Sequence, residues 1–412
     1  MSHASRWIPI LVLFSLPVAR GAVFEANHLF SGGWNGGQPV VVERDEELEV
    51  VREFGLGDLE SVVDLAFGPG GLLYVADTSA DRVKVFDADG AHVDTIGSNQ
   101  TLNQPSRLAF GANGHLYVAL PGQEIVEFDR NGSFVRAFSP PTGSTGTGLA
   151  VAADGLVYTG SYLDQRIDVF APDGVHLRSI AVPEAFQDFC IGPRGNLHVT
   201  TDVSDQVLEI RMDGSLAGSV GNGAGMLNPS TIVFGPDKNL YVFATGSATL
   251  FVFDEDGVLL REVHPFGAWA GFAFAPARFH AKISGRLGRS QKPLQKLVEK
   301  SAVLSVAPGS GTAFLELTDD PGDPFDLASY LGTDVLVLQG IHPETDGKKE
   351  LLLQGVQQAP GLSSDSAFLA LTLSGKTDAH GMFRTKKAKG TLHARAGGTF
   401  LSATLKASKP AN

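Results

Sequence analysis

Residues 67–75 read FGPGGLLYV, and four later stretches of the chain repeat this pattern. They are FGANGHLYV at 110–118, VAADGLVY at 151–158, IGPRGNLHV at 191–199 and FGPDKNLYV at 234–242. The aligned residues Tyr74, Tyr117, Tyr158, His198 and Tyr241 are 43, 41, 40 and 43 positions apart. Each stretch is an apolar strand, a turn of Gly, Asp or Asn and a second strand, which is the pattern of a β-hairpin.

A second hairpin follows the first in every unit. Its turns are Asp89-Gly90, Asn131-Gly132, Asp173-Gly174, Asp213-Gly214 and Asp256-Gly257. Asn-Gly and Asp-Gly are favoured there because two-residue hairpin turns require positive φ angles. Four short strands in a repeat of about 40 residues are typical of a β-propeller blade.

The first strand of each unit alternates large and small residues. The large positions are Leu65, Leu108, Leu149, Phe189, Ile232 and Phe272, and the small ones are Ala66, Ala109, Ala150, Cys190, Val233 and Ala273. Because strand residues alternate between two sides, we expect the small set to line a central channel and the large set to pack between neighbouring blades.

Six first strands occur, but only five units are complete. The first strand at 271–276 has no typical partners after it, whereas 28–31, 39–44 and 48–55 read as three strands without a first one. Pairing the two ends completes a sixth blade and leaves no open sheet edge. The sequence therefore predicts an all-β, six-bladed β-propeller. A five-bladed ring with irregular flanks is the alternative.

The stretches LYVAD at 73–77 and RVKVF at 82–86, with the Gly-Pro-x-Gly turns, resemble the NHL-repeat family of propellers. The resemblance covers residues 27–276 and implies the fold. The family includes enzymes, sensor domains and protein- or RNA-binding scaffolds, so the resemblance implies no single activity. Its peptidylglycine lyases use histidine ligands for zinc. Here His28, His92, His115, His176, His198 and His264 fall at unlike positions of the repeat, and we do not expect them to converge.

The first 22 residues are interpreted as a signal peptide. Arg6 provides a positive charge before the apolar stretch WIPILVLFSLPV at 7–18, which is too short to cross a bilayer. A buried N-terminal strand is the alternative interpretation. No later segment is long and apolar enough to predict a transmembrane helix. We therefore predict an extracytoplasmic protein of the bacterial envelope, periplasmic or secreted, with its propeller at 23–276.

The repeat ends near residue 276, and the charge of the chain changes there. Residues 1–276 carry 15 Lys+Arg and 33 Asp+Glu, whereas residues 277–412 carry 17 and 12. The acidic larger part argues against nucleic acid as a partner, because phosphate binding needs a basic surface. Short apolar or alternating segments predict a smaller antiparallel β-barrel or sandwich domain at 277–412. The basic run 384–389 is interpreted as a solvated strand or turn, or as a patch for acidic surfaces.

A ligand site is predicted at the channel mouth, where loops from all blades converge. Two residues before the small positions lie Asp64, Arg107, Gly148, Asp188, Thr231 and Gly271. The predicted site residues are Asp64, Arg107, Asp188 and Thr231, joined by Asp77, Ser161 and Asp202 of the loops. Asp64 and Asp188 are also the candidate metal ligands, with Ca²⁺ as the fitting ion. A solvated, self-paired rim is the alternative.

The residues favour a binding protein over an enzyme. No Gly-x-Ser-x-Gly elbow, phosphate-binding Gly-rich loop or Cys-x-x-Cys pair occurs in the sequence. A closed propeller offers a rigid face with variable loops, which suits recognition of a protein or a glycan. The prediction is a non-enzymatic binding or scaffold protein without a cofactor. The alternative is a metal-assisted hydrolase or lyase at the channel mouth, similar to lactonases or to the peptidylglycine lyases.

Overall fold

A computed structural model describes residues 24–97, 101–111, 114–122, 124–141, 146–152, 154–264, 266–267 and 270–276, with the backbone of nine strands between 277 and 408. The predicted signal peptide at 1–22 lies outside these residues. The described chain is almost entirely β, with two short 3-10 turns at Pro69–Gly71 and Thr78–Ala80. In this part of the chain, no helix has the length and apolar character needed to cross a bilayer.

Twenty-four strands form the propeller. In chain order they are β1 (Leu29–Asn35), β2 (Gln38–Arg44), β3 (Val50–Phe54), β4 (Asp64–Phe67), β5 (Leu73–Asp77), β6 (Arg82–Phe86), β7 (His92–Ile96), β8 (Arg107–Phe110), β9 (Leu116–Ala119), β10 (Ile125–Phe128), β11 (Phe134–Phe138), β12 (Leu149–Val151), β13 (Val157–Ser161), β14 (Arg166–Phe170), β15 (His176–Ala181), β16 (Phe186–Ile191), β17 (Leu197–Thr201), β18 (Val207–Ile210), β19 (Leu216–Val220), β20 (Pro229–Phe234), β21 (Leu240–Ala244), β22 (Thr249–Phe253), β23 (Leu259–Val263) and β24 (Ala270–Phe274).

Strands β4 to β23 form five antiparallel blades of four consecutive strands, which we number one to five. The sixth blade has the strand order β24-β1-β2-β3, with Leu29 paired to Phe274 and Ser31 to Phe272. Strand β24 also contacts β4 of the first blade, so the ring is closed. The predicted completion of a sixth blade by both ends is confirmed, and the five-bladed alternative is excluded.

Among the described residues, six apolar clusters form the core of the propeller, one between each pair of consecutive blades. The large inner-strand residues, such as Leu65, are buried in these clusters as predicted. The half-buried small residue Ala66 also packs against the cluster of Leu108 and Val118 in the next blade, and the lining of the channel by the small set stays a prediction. Both sides of a radial sheet face a neighbouring blade, and a small residue lets the next inner strand approach closely.

The strands after Pro276 belong to one antiparallel sheet. They are β25 (Ala277–Arg289), β26 (Lys292–Lys296), β27 (Lys300–Ala307), β28 (Thr312–Leu317), β29 (Val335–Gln339), β30 (Glu350–Gln358), β31 (Ser366–Thr377), β32 (Phe383–Ala396) and β33 (Thr399–Ser408). The sheet order is β29-β28-β27-β25-β33-β32-β31-β30, and β26 pairs with β25. The arrangement of this part as a barrel or sandwich domain stays a prediction.

Candidate functional site at the channel mouth

The inner strands β4, β8, β12, β16, β20 and β24 all begin at one end of the propeller, which we call the mouth. Neighbouring inner strands contact one another around the ring. Because each blade is antiparallel, the connections between its second and third strands lie at the same end. Asp64 pairs with Ala76 and Arg107 with Ala119, which places both predicted site residues at the mouth.

Arg107 reaches from the second blade to the fourth. Its guanidinium donates hydrogen bonds to the carbonyl oxygens of Ser106, at 2.9 Å, and Gln187, at 3.1 Å. Its Nε lies 3.5 Å from Oδ1 of Asp188, so the two side chains form an ion pair. The Asp188 carboxylate also accepts the backbone N–H of Phe189 at 2.9 Å. Two of the predicted site residues therefore meet although they belong to non-adjacent blades.

Asp64 completes a charged cluster with Arg107 and Asp188. Its Oδ2 accepts the backbone N–H of Leu108 in the next blade at 2.8 Å. Burial, together with the charge of Asp188, raises the pKa of Asp64 to about 7, although Arg107 opposes this shift. Burial also raises the pKa of Asp188 against the opposing charge of Arg107. The cluster therefore changes its charge close to neutral pH.

Two glycines allow the inner strands to approach these carboxylates. Gly148 has φ +93°, and a Cβ there would lie 2.5 Å from the ring of Phe189 and 3.2 Å from Oδ1 of Asp188. Gly271 has φ +41°, and a Cβ there would lie 2.7 Å from Oδ1 of Asp64. Each carboxylate is thus adjacent to a glycine of the preceding blade, and any side chain at these positions would displace it.

The other predicted site residues lie outside the charged cluster. Asp77 is fully buried and accepts the backbone N–H groups of Glu60 and Ser61, so it anchors the connection from the sixth blade to the first. Buried Ser161 donates to Oδ2 of Asp164 at 2.7 Å within its own loop. Thr231 is buried in β20. Asp77 and Ser161 are therefore engaged by loop contacts, whereas Thr231 precedes Ile232, whose backbone N–H donates to Asp188 of the charged cluster.

Asp202 is connected to the charged cluster through Gln187. The side-chain amide of Gln187 donates to Oδ2 of Asp202 at 2.9 Å, while its backbone carbonyl accepts from Arg107. Asp202 also raises the pKa of the exposed Tyr162 phenol through a hydrogen bond and its charge. Gln187 could not be found from the sequence, because its role depends on a backbone oxygen and no residue type signals that.

Four histidines of the propeller each have a separate polar partner. His28 contacts Glu43 at 2.7 Å, His115 contacts Glu127 at 2.7 Å, His176 contacts Asp168 at 3.0 Å and His264 contacts Thr249 at 3.0 Å. Burial alone would raise the pKa of Glu127, but the His115 hydrogen bond and the charge of Arg136 hold it below its usual value. Each of these part-buried pairs lies within one blade.

The charged cluster has two carboxylates that could bind a metal, those of Asp64 and Asp188. Among the residues that the structure describes, no three His, Cys, Asp or Glu side chains form a group able to hold a metal ion. The Arg107 guanidinium already supplies positive charge beside Asp188 and raises the cost of adding a cation. Binding of Ca²⁺ by Asp64 and Asp188 stays a prediction.

Exposed apolar residues gather at the mouth. They are Trp34, Leu56, Tyr162, Leu163, Val203 and Leu227. The last four lie on successive connections of blades three to five, and we call them the mouth arc. Leu163 is 79% exposed and Val203 78%. The remaining large apolar residues that are exposed in the described chain lie on outer strands or, for Val175 and Val258, in turns at the opposite end.

Polar interactions join the connections that carry the mouth arc. Asp202, which is adjacent to Val203, interacts with Tyr162 of the preceding blade. Asp205 Oδ1 accepts the backbone N–H of Asn228 at 2.8 Å, which ties the next connection to the same surface. The arc is therefore held in place together with the charged cluster beside it. Its signal in the sequence is the apolar Leu163 and Val203 at loop positions where the first blade has Ser79.

No protein-family model matches the sequence, and no curated protein matches it. Solved structures with a similar fold include a streptogramin B lyase, with 12% identity, a TM-score of 0.43 and coverage of 84% of this chain and 93% of that chain. A protein of unknown function from Bacteroides caccae has 16% identity, a TM-score of 0.47 and coverage of 60% and 98%. A β-propeller domain from Myceliophteria thermophila has 14% identity, a TM-score of 0.46 and coverage of 63% and 92%. These similarities concern the propeller fold and carry no argument about activity.

Proposed function

We propose that this chain is an exported, NHL-like binding protein whose propeller recognises a protein partner through its mouth. The mouth arc is the observation that carries the proposal. Single exposed apolar residues are ordinary, but several on joined loops mark an interaction surface. Aliphatic side chains at Leu163, Val203 and Leu227 favour a protein over a glycan, because protein interfaces have apolar centres whereas sugars present mainly hydroxyl groups.

The charged cluster gives the proposed interface its polar part. Arg107, Asp64 and Asp188 lie beside the arc and are connected to it through Gln187 and Asp202. Charged groups at an interface select the partner and fix its orientation more than they add affinity. We infer that the arc supplies most of the binding energy and the cluster supplies selectivity.

Replacing Leu163 and Val203 together with Ser should weaken partner binding at least about tenfold, because each lost apolar contact costs about 1–2 kcal/mol. The matched control is Leu216→Ser with Val93→Ser, which makes the same changes at exposed positions of outer strands β19 and β7. The experiment captures proteins from the extracytoplasmic fraction of the source cells and then measures the dissociation constant of the captured partner with each variant.

The proposal requires that the mouth variant loses more affinity for the captured partner than the control variant does. If both double variants bind the captured protein as tightly as the wild type, the mouth is not the interface. If a soluble glycan displaces the partner and binds directly to the mouth, the ligand of the mouth is a glycan.

Export is tested separately by mass spectrometry, which should find a mature protein without residues 1–22 outside the cytoplasm. A full-length cytoplasmic protein would remove that part of the proposal.

A metal-assisted hydrolase or lyase is the second candidate. The mutual repulsion of the Asp64 and Asp188 carboxylates favours it, because a cation held by both would relieve that repulsion and carboxylate oxygens are the ligands that Ca²⁺ prefers. Under this alternative, Asp64 and Asp188 hold a metal, and elemental analysis of the purified protein finds stoichiometric Ca²⁺ or Zn²⁺ that is lost in Asp64→Asn with Asp188→Asn. Metal-free protein after dialysis against Ca²⁺ would remove this candidate.

A further inference from the structure

Four adjacent strands of the C-terminal sheet carry a large excess of positive charge. Strands β26, β25, β33 and β32 contain twelve Lys and Arg residues and no Asp or Glu. They are neighbours in that order. The whole C-terminal part has only a small net positive charge, so the topology concentrates its cations in one region of the sheet.

The strand register places most of these cations on one face. Lys282 pairs with Lys406, and Lys406 pairs with Lys389, so three lysine positions are side by side across three strands. Paired residues share a face, and positions alternate along each strand. The resulting basic face consists of Arg278, His280, Lys282, Arg286, Lys296, Lys387, Lys389, His393, Arg395 and Lys406.

The other face of the same strands is apolar or small except for Arg289 and Lys292, where β25 and β26 meet. It includes Ile283, Leu287, Leu392, Ala403 and Leu405 by the same register. Leu405 is fully buried, whereas the next residue, Lys406, is exposed. At these two residues of β33, the basic face is the exposed side of the strand and the apolar face is the buried side.

The row of lysines has an energetic cost. Like charges that are directly opposite each other on neighbouring strands destabilise a sheet. The flanking strands β27 and β31 contain no Asp or Glu either, so these neighbours offer no carboxylate to offset the repulsion. An external anionic surface would offset it.

We propose that the basic face binds a bilayer surface that contains anionic phospholipids. The face spans four strands, roughly 14 Å, and extends roughly 26 Å from the level of Arg278 to that of Arg286. Its charges are therefore spread in two dimensions and match a plane of headgroups, whereas a linear polyanion would meet only one row. Each Lys or Arg near an anionic bilayer contributes about 1 kcal/mol, so several together give stable association.

The test is sedimentation of the full-length protein with vesicles. Wild-type protein should bind vesicles of phosphatidylglycerol mixed with phosphatidylcholine, should not bind pure phosphatidylcholine, and should be released by added salt. Lys282→Glu with Lys389→Glu should reduce the partition coefficient at least about 30-fold. The matched control, Arg289→Glu with Lys300→Glu, makes the same charge change at positions of the opposite face and should bind within about twofold of the wild type.

Three results would overturn the inference. They are binding to neutral vesicles as strong as to anionic ones, equal loss in the control variant, and retention by heparin or duplex RNA without vesicle binding. Thermal unfolding of each variant verifies that the sheet still folds. The mouth variant Leu163→Ser with Val203→Ser should bind vesicles like the wild type, so failure of this inference is distinguishable from failure of the proposed function.

Discussion

Replacing Arg107 with Met should lower the free energy of unfolding by about 3–5 kcal/mol at pH 8, because the change leaves two buried carboxylates without their cation. Asp188 would lose its ion pair, and Asp64 would lose the charge that holds its pKa down. The hydrogen bonds to the carbonyls of Ser106 and Gln187 would be lost as well. This is the largest effect that we expect from a single change in the charged cluster.

The loss should depend on pH with a defined sign. The pKa of Asp64 rises from 3.8 in the unfolded chain to about 7 in the folded protein. Between these values the folded state retains a proton that the unfolded state releases, so the contribution of Asp64 to stability falls as pH rises through this window. At pH 5 Asp64 is already neutral, and Arg107→Met should cost less than about 3 kcal/mol there.

Urea unfolding at pH 5 and pH 8 measures both quantities. Arg178→Met removes an exposed arginine of the outer strand β15 and serves as the control, with an expected change below about 0.5 kcal/mol at either pH. Adding Asp188→Asn to Arg107→Met should restore part of the stability at pH 8. An equal loss at the two pH values, or no rescue, would show that the cluster is not electrostatically coupled.

Gly148→Ala should lower the free energy of unfolding by about 2–4 kcal/mol. The new Cβ would overlap the ring of Phe189 at 2.5 Å and approach Oδ1 of Asp188 at 3.2 Å. The positive φ of Gly148 adds backbone strain for any residue with a Cβ. Because the neighbours belong to a packed inner strand, they cannot move aside without disturbing the cluster.

The variant Gly195→Ala separates the cost of backbone strain from the cost of steric overlap. Gly195 has a similar φ, +80°, but a Cβ there would meet no atom within 4 Å. It should therefore cost only about 1 kcal/mol. Thermal or urea unfolding of both variants gives the difference, which measures the close approach at Gly148 alone. Equal losses would mean that the space around Gly148 is not limiting.

The propeller could be predicted from sequence because turn chemistry and strand alternation repeat in every blade. The same periodicity predicted that the first strand of the sixth blade, β24, pairs with β1 of the distant N-terminal segment. It did not reveal the contact of Ala66 with the next blade, because alternation specifies two sides of a strand but not what each side faces. Local rules describe a blade well and the space between blades poorly.

The candidate site was only partly predictable for a related reason. Period-two alternation placed Asp64, Arg107 and Asp188 at the mouth, where the structure brings them together. The same reasoning included Asp77, which instead accepts two backbone N–H groups of a loop. A sequence does not show whether a carboxylate already accepts hydrogen bonds from backbone N–H groups. The basic face could not be predicted from the sequence either, because it depends on the register between β25 and β33, which are more than a hundred residues apart.

Only Ala275 and Pro276 separate the strand that closes the ring, β24, from the first strand of the sheet that carries the basic face. A connection of two residues cannot lengthen enough to relieve a pulling force. Any tension on an anchored β25 would be passed to the Leu29–Phe274 pair, where β24 is fastened to the N-terminal strand of its blade. The force would therefore act on the pairing of β1 with β24, which closes the ring. The resistance of the propeller to mechanical opening would depend on that pairing.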